Sequence, residues 1–251
     1  MSSKTITLIT GANRGMGFEL AKTLSQRGQQ VILGSRDLAK GQAAQAQLAD
    51  LGLTVDILQL DVTQPDSVTA AAEAIETKYG YLSILVNNAG AVFDRGQQPS
   101  NITADSLRAD FELNYFGLID VTQKLLPLLK LAPSAKIINV SSMMGSKTEA
   151  LNPNSEVYHA SAVGYQSSKA AANMYTVQLA KELKNAGLPI TVNAVDPGMV
   201  ATEFGGVSPD WAKAHGAQSV DFGIARMVEL ATTTDNDVTA TFSNTHGEVA
   251  W

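Results

Sequence analysis

The stretch Thr5-Ile6-Thr7-Leu8-Ile9-Thr10-Gly11-Ala12-Asn13-Arg14-Gly15-Met16-Gly17 decides how the rest of the chain is read. Its first half is a short apolar, β-branched run, which suits a buried strand. The run stops at glycines 11, 15 and 17, and Glu19 to Arg27 then carries helix-forming residues. Strand, glycine turn and helix in that order make an anion site. Glycine lets the backbone turn tightly and approach a ligand, and the free N–H groups of a helix N-terminus attract a pyrophosphate. Gly11, Asn13, Arg14, Gly15, Met16 and Gly17 are therefore candidate cofactor contacts. The spacing is G-x-x-x-G-x-G, which differs from the G-x-G-x-x-G of the long-chain dinucleotide binders.

Working outward, Val31 to Gly34 reads as a second buried strand, followed by Ser35-Arg36-Asp37 where a dinucleotide fold inspects the adenosine ribose. An acidic side chain there accepts from the 2′-OH of NAD, whereas arginine suits the 2′-phosphate of NADP. Here Ser35 and Arg36 end the strand, and Asp37 falls one step late, placed to cap the next helix. Arg14 approaches the same phosphate from the turn, so the pair of cations favours NADPH/NADP+. Val55 to Leu60 gives a third strand closing at Asp61-Val62-Thr63. Asp61 either bonds the adenine amino group or caps its own loop. A fourth strand, Ile84 to Val86, runs into Asn87-Asn88-Ala89-Gly90, small residues against which a ribose can lie. The same asparagines can tie neighbouring loops together.

Further along, Tyr165-Gln166-Ser167-Ser168-Lys169 places a phenol and an ammonium four residues apart, on one helix face. A free phenol titrates near pH 10, and a cation within about 4–6 Å lowers that value, so Lys169 is expected to bring Tyr165 toward acid–base work. With Thr10-Gly11…Gly15-x-Gly17, Asn87-Asn88-Ala89-Gly90 and Tyr165-x-x-x-Lys169 in this order, nearly the whole chain resembles the short-chain dehydrogenase/reductase family. The pairing of Arg14 with Arg36 resembles its NADP-preferring branch.

That resemblance implies more. Asn114, unfavourable in mid-helix unless its side chain has a task, becomes a catalytic residue whose bound water links Lys169 to solvent. Of Ser141 and Ser142, the second aligns with the family's catalytic serine. Asp196-Pro197-Gly198-Met199-Val200-Ala201-Thr202 resembles the segment that holds the nicotinamide carboxamide, which brings in Pro197, Gly198, Val200 and Thr202. Ser142 and Tyr165 stand further apart than is common in the family, with the surplus in Lys147 to Ala162. This resembles a shorter form of the insertion in monomeric carbonyl reductases, and is expected to lie over the substrate mouth. Because it adjoins the helix other members use to dimerise, a homo-oligomer is possible without being implied.

Composition agrees with this reading. At 251 residues and 45% hydrophobic, the chain has material for one Rossmann-type α/β domain spanning 1–251. The expected architecture is a doubly wound parallel sheet of about seven strands with helices on both faces. A net charge of −6 disfavours nucleic acid or an anionic membrane as partner. There is no cysteine, and the three histidines are isolated, which disfavours thiolate and metal chemistry. With regular structure starting by Thr5 and no long apolar run, the expected location is the cytoplasm.

The expected partner is a small carbonyl or alcohol substrate. Val92, Phe93, Met143, Met144, Met199 and Phe204 suggest a hydrophobic one, unless they are core. Glu203 to Asp221, rich in glycine, reads as a lid. The expected activity is reversible NADPH-dependent reduction of a ketone or aldehyde. The alternatives are an NAD-linked alcohol dehydrogenase working oxidatively, and a non-catalytic NADP(H)-binding regulator on the same fold.

Overall fold

From the glycine turn to its last hairpin the chain alternates strand and helix, and the alternation winds it onto both faces of one sheet. The structure, a computed structural model, describes residues 4–234 and 237–251. The first half runs β1 (Ile6–Ile9), α1 (Gly15–Gln26), β2 (Gln30–Ser35), α2 (Leu38–Asp50), β3 (Asp56–Gln59), α3 (Pro65–Tyr79) and β4 (Ile84–Asn87). Next, α4 (Ala104–Phe111) passes through a π-helical turn (Glu112–Phe116) into α5 (Gly117–Lys130) and β5 (Ala135–Val140). The remainder comprises α6 (Lys147–Leu151), α7 (Val163–Asn185), β6 (Ile190–Val195), α8 (Pro209–Ala214), α9 (Val220–Thr232), β7 (Phe242–Asn244) and β8 (Gly247–Glu248).

The strands lie in the order β3-β2-β1-β4-β5-β6-β7-β8, with β1 to β7 parallel and β8 antiparallel to β7. Two apolar layers hold the helices to the sheet. One joins α3, α5 and α7 through Ile75, Leu125, Leu129 and Leu183. The other joins α1, α2 and α9 through Leu20, Leu24, Leu48 and Met227. Each such side chain contributes roughly 1.5–3 kcal/mol by leaving water. Strand order reverses between β1 and β4, so the crevice beyond their C-terminal ends is where this architecture takes a ligand.

Three elements differ from expectation. An eighth strand, the two-residue β8, extends the expected seven. The seventh strand begins only at Phe242: Thr241 N and Oγ1 donate to the Asn193 side chain, while Thr241 O still accepts from Ala194 N of β6. Ala240 beside it has φ of 59°, which interrupts an extended strand. The single helix expected over Thr103 to Lys130 contains the π turn, and Pro127 is accommodated inside α5 close to its end. No helix among the described residues is long and apolar enough to cross a membrane.

Candidate active site

The glycine turn connects β1 to α1 at the crevice. Gly11 and Gly15 have φ of 64° and 58°, a left-handed backbone that disfavours side chains. A Cβ on Gly17 would stand 2.6 Å from Asn88 Nδ2 and 2.7 Å from Gly11 O, so only glycine fits there. Asn88 fastens the turn from the end of β4, donating to Thr10 O at 2.8 Å and Gly11 O at 3.2 Å. The N–H groups of Asn88 and Ala89 both donate to Thr10 Oγ1. Asn87 points the other way, donating to Thr122 and to its register partner Asn139, both at 2.9 Å.

The start of α1 suits an anion. Its N-cap, Arg14, makes no side-chain cap, and no acidic residue lies in the first turn, leaving N–H groups and the positive helix end facing the crevice. Asn13 and Met16 flank them. Thr202 reaches this turn from beyond β6, its Cγ2 being 3.5 Å from where a Gly15 Cβ would be. On the adenosine side, Ser35 is buried and bonds Asp37 O, while Arg36 is exposed. Asp37 caps α2 through Lys40 N, as its late position suggested. Asp61 Oδ1 accepts from Thr63 N and Oγ1, so this oxygen caps its own loop beside the buried Val62.

Tyr165 and Lys169 lie in the first two turns of α7 and are 6% and 4% exposed. Lys169 Nζ donates to Val140 O, the last residue of β5, at 2.8 Å and sits 5.6 Å from the Tyr165 ring centre. The Ser142 side chain lies near enough to the Tyr165 hydroxyl to favour its phenolate, and Ser142 Oγ accepts from Met144 N. Ser141, by contrast, is buried against Asn173. Asn114 occupies the π turn and grips Ala91 at both ends, accepting from its N–H at 3.1 Å and donating to its carbonyl at 2.9 Å. Gly90 separates Asn114 from Lys169: a Cβ there would be 3.0 Å from Asn114 Oδ1 and 3.6 Å from Lys169 Nζ. Asn114, Ser142, Tyr165 and Lys169 thus converge from α4–α5, β5 and α7. Tyr158, which lacks a lysine partner, lies exposed against His159.

Electrostatics correct one expectation. Burial pushes the Tyr165 phenol well above its ordinary value, outweighing the Ser142 hydrogen bond that favours the phenolate; Asp196 and Asp110 add to the rise. Burial also lowers Lys169 to about 8. Desolvation therefore sets the balance, and the Tyr165 phenol is held in its neutral form. Asp196 is raised too, by burial, although it accepts from Met143 N at 2.9 Å.

The segment that starts at Glu203 reaches across the crevice. Phe204 sets its ring edge-to-face against Tyr165 at 5.9 Å, and Glu203 pairs with Arg14 of the glycine turn. From the other rim, Arg95 donates to Gly205 O at 2.7 Å and stacks over Trp211, which stacks on His215. Neither arginine contact had a signal in the sequence, since the partners lie 189 and 110 positions away. Ahead of Tyr165, α6 is capped by Ser146, and Ser155 touches Met143, which follows Ser142.

Pro197, Gly198, Val200 and Thr202 follow β6 at the same edge of the sheet. Gly198 turns with φ of 70°, and Val200 bridges to Gln218, holding the segment to the far end of the lid. A glycine turn at a crevice suited to a dinucleotide, and a buried Tyr–Lys pair with Ser142 beside it at the C-terminal edge of a doubly wound sheet, fit an oxidoreductase of the dinucleotide-binding class. The short chain dehydrogenase profile matches residues 5–213, and the chain belongs to that family.

Among its relatives, the short-chain dehydrogenase anuI of Penicillium roqueforti (strain FM164) is 35% identical over 92% of this chain and 89% of its own. Carbonyl reductase (NADPH) 1 of Mus musculus is 39% identical over 57% of this chain and 50% of that protein, so the match spans half of its length. Among solved structures, the NADPH-bound carbonyl reductase from chicken fatty liver is 28% identical, covers 99% of both chains and superposes with a TM-score of 0.83.

Proposed function

We propose that this protein is an NADP(H)-dependent carbonyl reductase, its 251 residues forming one catalytic domain that interconverts ketones or aldehydes with alcohols. The observation that carries the reading is the buried Tyr165 phenol, with Lys169 Nζ 5.6 Å from its ring centre and Ser142 beside its hydroxyl, at the same edge of the sheet as the glycine turn. The residues fit the cofactor: the uncapped start of α1 with Gly11, Asn13, Gly15, Met16 and Gly17 for the pyrophosphate, and Arg14, Ser35 and Arg36 for the 2′-phosphate. Asp61 and Val62 would border the adenine, and Asn88, Ala89 and Gly90 the nicotinamide ribose. Pro197, Gly198, Val200 and Thr202 would hold the carboxamide. NADPH, when bound, supplies the hydride.

The chain's own groups handle the oxygen. Tyr165 gives its hydroxyl proton to the carbonyl oxygen as the C=O π bond breaks, acting as general acid. Ser142 donates to that oxygen as charge builds. Lys169 and Asn114 stand on the side from which the phenol regains its proton. Because burial favours the neutral phenol, Tyr165 carries the proton that the reductive direction requires. A hydrophobic substrate is supported by apolar side chains left open: Phe93, Met199 and Phe204 are 46%, 47% and 40% exposed and Val92 and Met144 are half-buried, whereas Met143 packs against the Ala194–Phe242–Val249 cluster.

The test is the loss of NADPH absorbance, beside NADH, against aryl ketones, keto esters and aldehydes. Turnover that prefers NADPH is expected. Turnover with NADH alone would favour the NAD-linked dehydrogenase, and tight NADPH binding with no turnover on any substrate would favour a regulator.

A further inference from the structure

Asp94 and Asp110 are both completely buried, and neither pairs with a cation among the described residues. Asp94, in the loop after β4, accepts from Gly164 N at 2.6 Å. It thereby caps the first turn of α7, whose own N-cap, Ala162, has no side chain for the task. Asp110, near the end of α4, accepts from Phe93 N at 3.1 Å. Both carboxyl groups converge on Gly164, the Asp94 charge bears on Asp110, and Asp94 Oδ1 and Asp110 Oδ2 have no donor. The fit at Gly164 is tight: a Cβ there would stand 2.7 Å from Asp110 Oδ2 and 3.3 Å from Asp94 Oδ2.

Two adjacent carboxylates without a cation cannot both stay ionised cheaply in a dry interior, and a proton held between them resolves the conflict. The next residue after Gly164 is Tyr165. We propose that Asp94 and Asp110 share one proton and act as positioning residues for Tyr165, bolting the loop after β4 and α4 to the first turn of α7. Its functional weight rests on the role assigned to Tyr165 above.

The other titratable groups around the pair are few. Tyr165 faces Asp110 from α7; Arg95 is turned outward to Gly205 and Trp211, and Arg108 is paired with Asp105 on the exposed face of α4. Burial, opposed by the Phe93 N–H and reinforced by the Asp94 charge, pushes Asp110 up to about 6. The sign follows. A carboxyl that holds its proton more tightly folded than unfolded gives stability that is full below about pH 4 and lost as pH rises through about 6.

Asp110→Asn tests this, because its amide oxygen still accepts from Phe93 N while its NH2 donates to Asp94, imitating the protonated pair at every pH. Hydrogen exchange of the peptide spanning residues 160–170, corrected for intrinsic pH dependence, should quicken about fourfold in the wild type between pH 5.5 and 7.5. In the variant it should not change. At saturating NADPH, wild-type kcat should fall about threefold more than the variant's over the same range, with the KM for NADPH equal in both. The same exchange profile in both proteins overturns the pair. A difference in exchange with identical kcat profiles overturns its positioning of Tyr165. Absence of turnover alongside the expected exchange difference supports the pair and refutes the carbonyl reductase reading instead.

Discussion

The glycine turn and the loop after β4 flank one crevice, yet the buried contacts of the first are all neutral, with only the exposed Arg14–Glu203 pair above them. Those of the second include two buried carboxyls beside the neutral Asn114. Around the turn, Asn88, Thr10 Oγ1 and backbone contacts such as Ala12 N to Gly34 O do the fastening, and every one of these partners is uncharged. Across the crevice, Asp94 and Asp110 anchor the loop from inside while Arg95 reaches over to the lid. A neutral frame keeps its geometry over a broad range of pH and salt, which suits a site that must present N–H groups to a constant ligand. A rim built on carboxyls and guanidinium groups responds to both.

The division can be broken by substitutions on either side. Ser142→Ala should cost about a hundredfold in kcat by removing the donor to the reacting oxygen. NADPH affinity, read by fluorescence titration, should stay within about twofold, because the turn is untouched; an equal loss in both would show that the two sides are not separate. Arg36→Ala should raise the KM for NADPH about tenfold, the cost of one charge-assisted contact, and leave that for NADH unchanged. Initial rates with both cofactors decide it. The smallest effect belongs to Glu203→Gln. Its pair with Arg14 is 62% and 66% exposed, so the change should alter the KM for NADPH by no more than about threefold. A larger change, vanishing at high salt, would mean that the lid contact governs cofactor entry.

How far the sequence could be read follows the same division. The β1 turn, Asn88, Tyr165 and Lys169 announce themselves because local spacing determines their geometry: glycines where the backbone must turn, and an i, i+4 pair on one helix face. Helix α3 begins at Pro65 and ends at Gly80 in a left-handed conformation, and both ends are legible for that reason. Asp94 and Asp110 gave no such signal. Asp in a polar loop and Asp on a short helix read as solvated, and only tertiary packing buries them together. The π turn around Asn114 was hidden likewise, since an inserted residue leaves the helical pattern nearly intact. The rise of the Tyr165 pKa depends on burial, which a spacing of four residues does not report.

The central claim is that Tyr165 supplies the proton, and Tyr165→Phe tests it most directly when kcat and NADPH affinity are measured on the same preparation. The variant removes one oxygen and keeps the ring that packs against Phe204. The account predicts a loss of kcat of about a thousandfold or more, with NADPH binding within about threefold of the wild type. A variant that turns over as fast as the wild type would contradict it and move the proton donor elsewhere in the crevice.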